Sequence, residues 1–128
     1  MRQREKQSRG NAEERAIEYF TGLGYTVIRV GDTESYDLKC SKNGETLRVE
    51  VKGTQTEGTA IILTANEVES ARNSRSALFI LHSVKLSGGG KKRKVSGGIA
   101  NILNPWHIGQ DGSLKTISFI YRLSNNGE

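Results

Sequence analysis

Between Asn11 and Leu23 the apolar residues Ala16, Ile17, Phe20 and Leu23 recur at spacings of three and four, which describes one face of a helix. Asn11 suits the N-cap and Gly24 the stop. Residues 1–10 are polar and basic without such a stripe; they are expected as a disordered basic tail ahead of a single domain over 11–125. The β-branched and aromatic run Tyr25–Val30 predicts a strand. Tyr36–Ser41 and Thr46–Lys52 alternate in polarity around Asn43-Gly44, the signal of a type I′ hairpin. Ala60–Leu63 reads as a short strand, and Thr64-Ala65-Asn66-Glu67 has the spacing of a capping box opening a helix to about Asn73. Ala77–Val84 is an apolar run, interrupted only by His82 and Ser83, as a buried central strand would be. Beyond Gly88-Gly89-Gly90, Gly98–Leu103 and Leu114–Leu123 predict two more strands, with Asp111-Gly112 turning the chain before the last. Strands interleaved with helices in this order predict an α/β fold, a mixed sheet with helices packed on it.

The hairpin has a consequence for side chains. With Asn43-Gly44 as a two-residue turn, opposed residues have numbers that sum to 87, so Tyr36 faces Val51, Leu38 faces Val49 and Cys40 faces Leu47. That face is apolar. On the other face Asp37 is set against Glu50, with Lys52 two residues further along. Opposed like charges destabilise a sheet, so the pair needs a reason to persist, and a divalent cation is one. An ammonium beside a metal-bound water can orient it or stabilise charge developing on a phosphate. Taken alone, Glu50-Val51-Lys52 reads as an ordinary solvated strand face; the aligned Asp37 and the preceding helix shift the balance toward chemistry.

Composition narrows the partners. The chain has 128 residues, a formal net charge of +5 and 34% hydrophobic residues, enough for one modest core. A single cysteine, Cys40, excludes an internal disulfide and fits a reducing cytoplasm, and with only two histidines a closed zinc site is not expected. No apolar run is long enough for a membrane span, and the first residues lack the order of a secretory signal. The positive charge suits a polyanion. It is concentrated in Lys91-Lys92-Arg93-Lys94 and in Arg2, Arg4, Lys6 and Arg9. The glycines before Lys91 lack the context of a phosphate-binding loop and read as a flexible, charged hairpin tip. Gln55, just after Lys52, is a candidate phosphate or base contact. His82 within an apolar strand and Trp106 after Pro105 read as core or core-edge residues.

Helix, strand, "YDL", hairpin and "LRVEVKGTQ" together resemble the PD-(D/E)XK nuclease superfamily, with Tyr36 where its motif has proline. "EVKGT", "LTANEVESA" and "ILNPW" are similar to NO VEIN C-terminal-type domains, and the N-terminal half is similar to Holliday-junction resolvases. The resemblance covers roughly residues 10–105. It implies a restriction-endonuclease-like mixed sheet with an αβββαβ core. It also implies a Mg²⁺-dependent DNA endonuclease, with Mn²⁺ as an alternative metal. Asp37, Glu50 and the Val51 carbonyl would bind the metal and Lys52 would position or activate water. The superfamily often adds a glutamate from the first helix. Glu13 shares the face of Ala16, Ile17 and Phe20 and is expected at the site, as a catalytic and metal-site residue, whereas Glu14 would close a capping box on Asn11. Lys91, Lys92, Arg93, Lys94, Arg9 and Gln55 would contact DNA. A non-catalytic nucleic-acid-binding module and a homodimeric junction resolvase are the alternatives.

Overall fold

The computed structural model describes residues 3–92 and 94–124, with side chains from Asn11 onward. Helix α1 (Gln3–Gly22) leads into strands β1 (Thr26–Arg29), β2 (Leu38–Lys42) and β3 (Glu45–Gly53). Helix α2 (Ala65–Asn73) then carries the chain to β4 (Ser76–Ser87), and a tip with a 3-10 turn at Gly90–Lys92 returns it along β5 (Lys94–Leu103). The strands form one five-stranded mixed sheet in chain order. β3 and β4 run parallel, which requires the crossover that α2 supplies; the other neighbours are antiparallel.

Each face of the sheet has its own helix. Leu38, Cys40, Leu47, Val49 and Val51 alternate along the β2–β3 hairpin and point to one side. There they join Ala77, Phe79 and Leu81 of β4 beneath Ala12, Ala16 and Phe20 of α1. The small Ala12 and Ala16 let the helix lie close, and Phe20 fills the space beyond them, edge-on to Tyr25 at 5.9 Å. On the opposite side Leu78 and Ile80 pack with Ala71 of α2 and Trp106. Burial of aliphatic and aromatic area on both faces is the main stabilising term.

Four local features differ from the sequence pattern. α1 starts at Gln3, so residues 3–10, expected as a disordered tail, extend the helix; Asn11 lies inside it and Glu14 is no longer in a first turn. Gln, Arg, Glu and Lys are good helix formers, and adding turns to an anchored helix avoids the cost of nucleation. Leu23 is exposed, and Ala12 takes its place on the packed face. Ala60–Leu63 is not a strand; Ile61 and Leu63 pack on the Leu78–Ile80 cluster, so their apolarity serves packing rather than pairing. Leu114–Leu123 is not a strand either, and Ile117, Phe119, Ile120, Tyr121 and Leu123 are all exposed. Its alternation records β-propensity, but a strand also needs a neighbouring ladder, and none pairs with it among the described residues.

Candidate metal centre

The β2–β3 ladder has the register expected from Asn43-Gly44, with Cys40 opposite Leu47 and Leu38 opposite Val49. Asn43 and Gly44 both have positive φ, 52° and 79°, as a type I′ turn demands. The ladder then stops. Tyr36 does not pair with Val51; instead the Val51 N–H donates to the Asp37 side chain, Oδ2, at 2.8 Å. Asp37 thus replaces the next rung of the sheet with its own carboxylate, and its side chain still meets that of Glu50. Tyr36 leaves the apolar face for the other side, where the Arg48 guanidinium stacks on its ring at 4.8 Å. Arg48 also donates to Ser70 Oγ of α2 at 3.1 Å, which ties β3 to that helix.

Arg48, Glu50 and Lys52 follow one another on the α2 side of β3. Asp37 and Glu50 are buried, at 2% and 4% exposure, which is unusual for carboxylates. Lys52 Nζ lies 3.7 Å from Glu50 Oε1 and 3.2 and 3.3 Å from the two carboxylate oxygens of Glu67. Glu67 comes from the first turn of α2, where the capping box is complete: Thr64 Oγ1 accepts from the Glu67 N–H at 3.1 Å, and Glu67 Oε1 accepts from the Thr64 N–H at 2.8 Å. Asp37, Arg48 and Glu67 also line a polar cleft of about 650 Å³ between the β1–β2 connection and α2.

The electrostatics follow from burial. Desolvation first, then hydrogen bonding and repulsion from Asp37 and Glu67, push the Glu50 carboxyl up to about 10, so it is protonated at neutral pH. Burial opposes ionisation of Glu67 too, but the Thr64 N–H, the Glu50 carboxyl and Lys52 outweigh it and hold Glu67 below its ordinary value. One oxygen of this cluster stays unsatisfied: Glu50 Oε1 is buried without a hydrogen-bond partner. A buried acceptor without a hydrogen bond is costly, and once Glu50 gives up its proton this oxygen, beside Asp37, fits a hard divalent cation. No group of three or more His, Cys, Asp or Glu side chains among the described residues is arranged to hold a metal by itself. Mg²⁺ is commonly bound through one or two carboxylates, with waters and substrate phosphates completing its shell.

The expected residues are distributed as follows. Asp37, Glu50, Val51 and Lys52 converge. Glu13 is half-buried on α1, the helix that packs on the other, apolar face of the sheet. A helix carboxylate at Glu50 is Glu67 of α2; its spacing from Thr64 marks it in the sequence as a cap residue, and its reach to Lys52 has no local signal. Gln55 is exposed just beyond β3, and Lys91, Lys92 and Lys94 are exposed around the β4–β5 tip. Arg93 and the side chain of Arg9 lie outside the described residues. His82 is a sheet residue bonded to Ser83 Oγ at 2.9 Å, and Trp106 is a core residue. Among the described residues no helix is long and apolar enough to cross a membrane.

Neither a curated protein nor a solved structure matches the chain. Residues 10–96 match the family described as Protein NO VEIN, C-terminal, a span that includes Asp37, Glu50, Lys52 and Glu67 and more than half of the chain. The chain belongs to the NO VEIN C-terminal family.

Proposed function

We propose that this chain is a metal-dependent DNA nuclease of the PD-(D/E)XK type, with a restriction-endonuclease-like core. The observation that carries the reading is Glu50 Oε1, buried and without a hydrogen-bond partner between Asp37 and Lys52. Asp37, Glu50 and the Val51 carbonyl would hold Mg²⁺, or Mn²⁺ in its place. The bound cation would act as a Lewis acid on the scissile phosphate and lower the pKa of its water. Lys52 brings its ammonium to 3.7 Å from Glu50 Oε1 while Glu67 holds it. It orients the attacking water and offsets negative charge as the phosphorus becomes five-coordinate. The Val51 N–H holds Asp37 Oδ2 at 2.8 Å. The exposed lysines of the β4–β5 tip would bind the phosphate backbone without reading sequence.

The test is direct. Purified protein is incubated with supercoiled, linear, single-stranded and branched DNA, with Mg²⁺, Mn²⁺ or EDTA. Cleavage should need the metal and disappear in Lys52→Ala, while the circular dichroism spectrum of the variant stays native. Full activity in Lys52→Ala, or no cleavage of any substrate with either metal, would sink the assignment.

A further inference from the structure

Two acidic side chains lie beside one ammonium in this cluster. Lys52 Nζ sits closer to Glu67, at 3.2 and 3.3 Å, than to Glu50 Oε1, at 3.7 Å. Yet Glu50 Oε1 is the atom in greater need, since it is buried and has no hydrogen-bond partner. A lysine ammonium is a compact charge with three donors on a flexible four-carbon stem. A small swing of that stem would bring Nζ within hydrogen-bond distance of Glu50 and relieve the open acceptor. Something withholds it.

Glu67 is the group placed to do so. It is not a free surface carboxylate that follows the lysine: the Thr64 N–H holds Oε1 at 2.8 Å, and the reciprocal bond from its own N–H to Thr64 Oγ1 locks the first turn of α2. Its side chain is only 14% exposed and that of Lys52 25%, so water screens the pair incompletely. The lysine therefore comes to a fixed anion, and both carboxylate oxygens share it.

We infer that Glu67 is a positioning residue, which keeps the Lys52 ammonium off Glu50 Oε1 and so leaves that oxygen open to a divalent cation. This rests on the metal-dependent reading above and extends it: the capping box of α2, a local helix-start motif, maintains the cation site on β3. Without the negative charge of Glu67, Lys52 closes onto Glu50 and competes with the cation for the same oxygen.

Glu67→Gln is the informative variant, because glutamine serves a capping box as well as glutamate does and the helix start is retained. Two measurements are made: the Lys52–Glu50 distance in a crystal structure of the variant, and Mn²⁺ affinity by isothermal titration in wild type, Glu67→Gln, Lys52→Ala and the double variant. In Glu67→Gln, Nζ should move into hydrogen-bond contact with Glu50 Oε1, and Mn²⁺ affinity should fall about tenfold, the lower end of what loss of an outer partner of a metal ligand costs. Adding Lys52→Ala to Glu67→Gln should restore the affinity, since no ammonium remains to compete. Two results overturn the inference: a lysine that stays in place, or a double variant as weak as Glu67→Gln, which would make Glu67 a ligand or a plain cap. If wild type binds no Mn²⁺, the nuclease reading is what fails, and the position of Lys52 in the Glu67→Gln crystal still decides the role of Glu67.

Discussion

Glu50 is the residue on which stability and the proposed activity pull in opposite directions. Its carboxyl titrates near 10 in the folded protein against an ordinary 4.5, so between those values the native state keeps a proton that the unfolded chain has lost. The associated stability is complete below the ordinary value and is lost progressively as pH rises toward 10, by up to about 1.4 kcal/mol per pH unit. Metal-free wild type should therefore melt lower at pH 9 than at pH 5. Glu50→Gln keeps the neutral shape and removes the titration, so its melting temperature should overtake that of wild type as pH rises, while any stabilisation by Mg²⁺ is lost. Parallel melting curves for the two proteins across that range would mean that Glu50 ionises like a surface carboxylate.

Among the elements, α2 and the β4–β5 tip make separate claims. Thr64→Ala removes the acceptor for the Glu67 N–H and should cost roughly 1 kcal/mol in urea unfolding, as N-cap losses commonly do. An unchanged midpoint would show that the packing of Ala71 on Leu78 and Ile80, rather than the cap, holds the helix start. At the tip, Lys91, Lys92 and Lys94 are exposed and answer to solvent or to an anion. Replacing the three with serine should leave the melting temperature alone and flatten the salt dependence of DNA binding. Each lost phosphate contact removes about 0.9 from the slope of log K against log salt. If both slope and affinity match wild type, the DNA path avoids this hairpin.

For the molecule as a whole, the segment after Gly112 is the anomaly. Phe119 and Tyr121 are 90% and 88% exposed, and Ile117, Ile120 and Leu123 stand in solvent with them. The sheet is built from β1 to β5 without this segment, and both core clusters form from residues before it. A chain ending at Gly112 should accordingly unfold within about 0.5 kcal/mol of the full chain, the range of surface changes remote from packing. It should also associate less at high concentration by sedimentation, because a contiguous exposed apolar stretch promotes self-association. A large loss of stability on truncation would show that the segment packs on the sheet in solution.

How far the sequence reached depended on the range of the forces involved. Asn43-Gly44 determined the hairpin, and with it the apolar set Leu38, Cys40, Leu47, Val49 and Val51, because turn chemistry and side-chain alternation are properties of adjacent residues. Thr64 and Glu67 determined a helix start for the same reason. Ala77–Val84 announced a buried strand by apolarity alone, although its parallel pairing with β3 came from the crossover. What depended on distant contacts was not legible. Alternation set Asp37 opposite Glu50, but the end of the ladder turned Asp37 into an acceptor for Val51 and sent Tyr36 under Arg48. The first-helix stripe put Glu13 on the face of α1 that docks on the sheet, but no local pattern told that α2 would bring Glu67 to Lys52. A residue's local pattern states which face it occupies on its own element; which other element meets that face, and so which charges become neighbours, is decided only when the helices pack on the sheet.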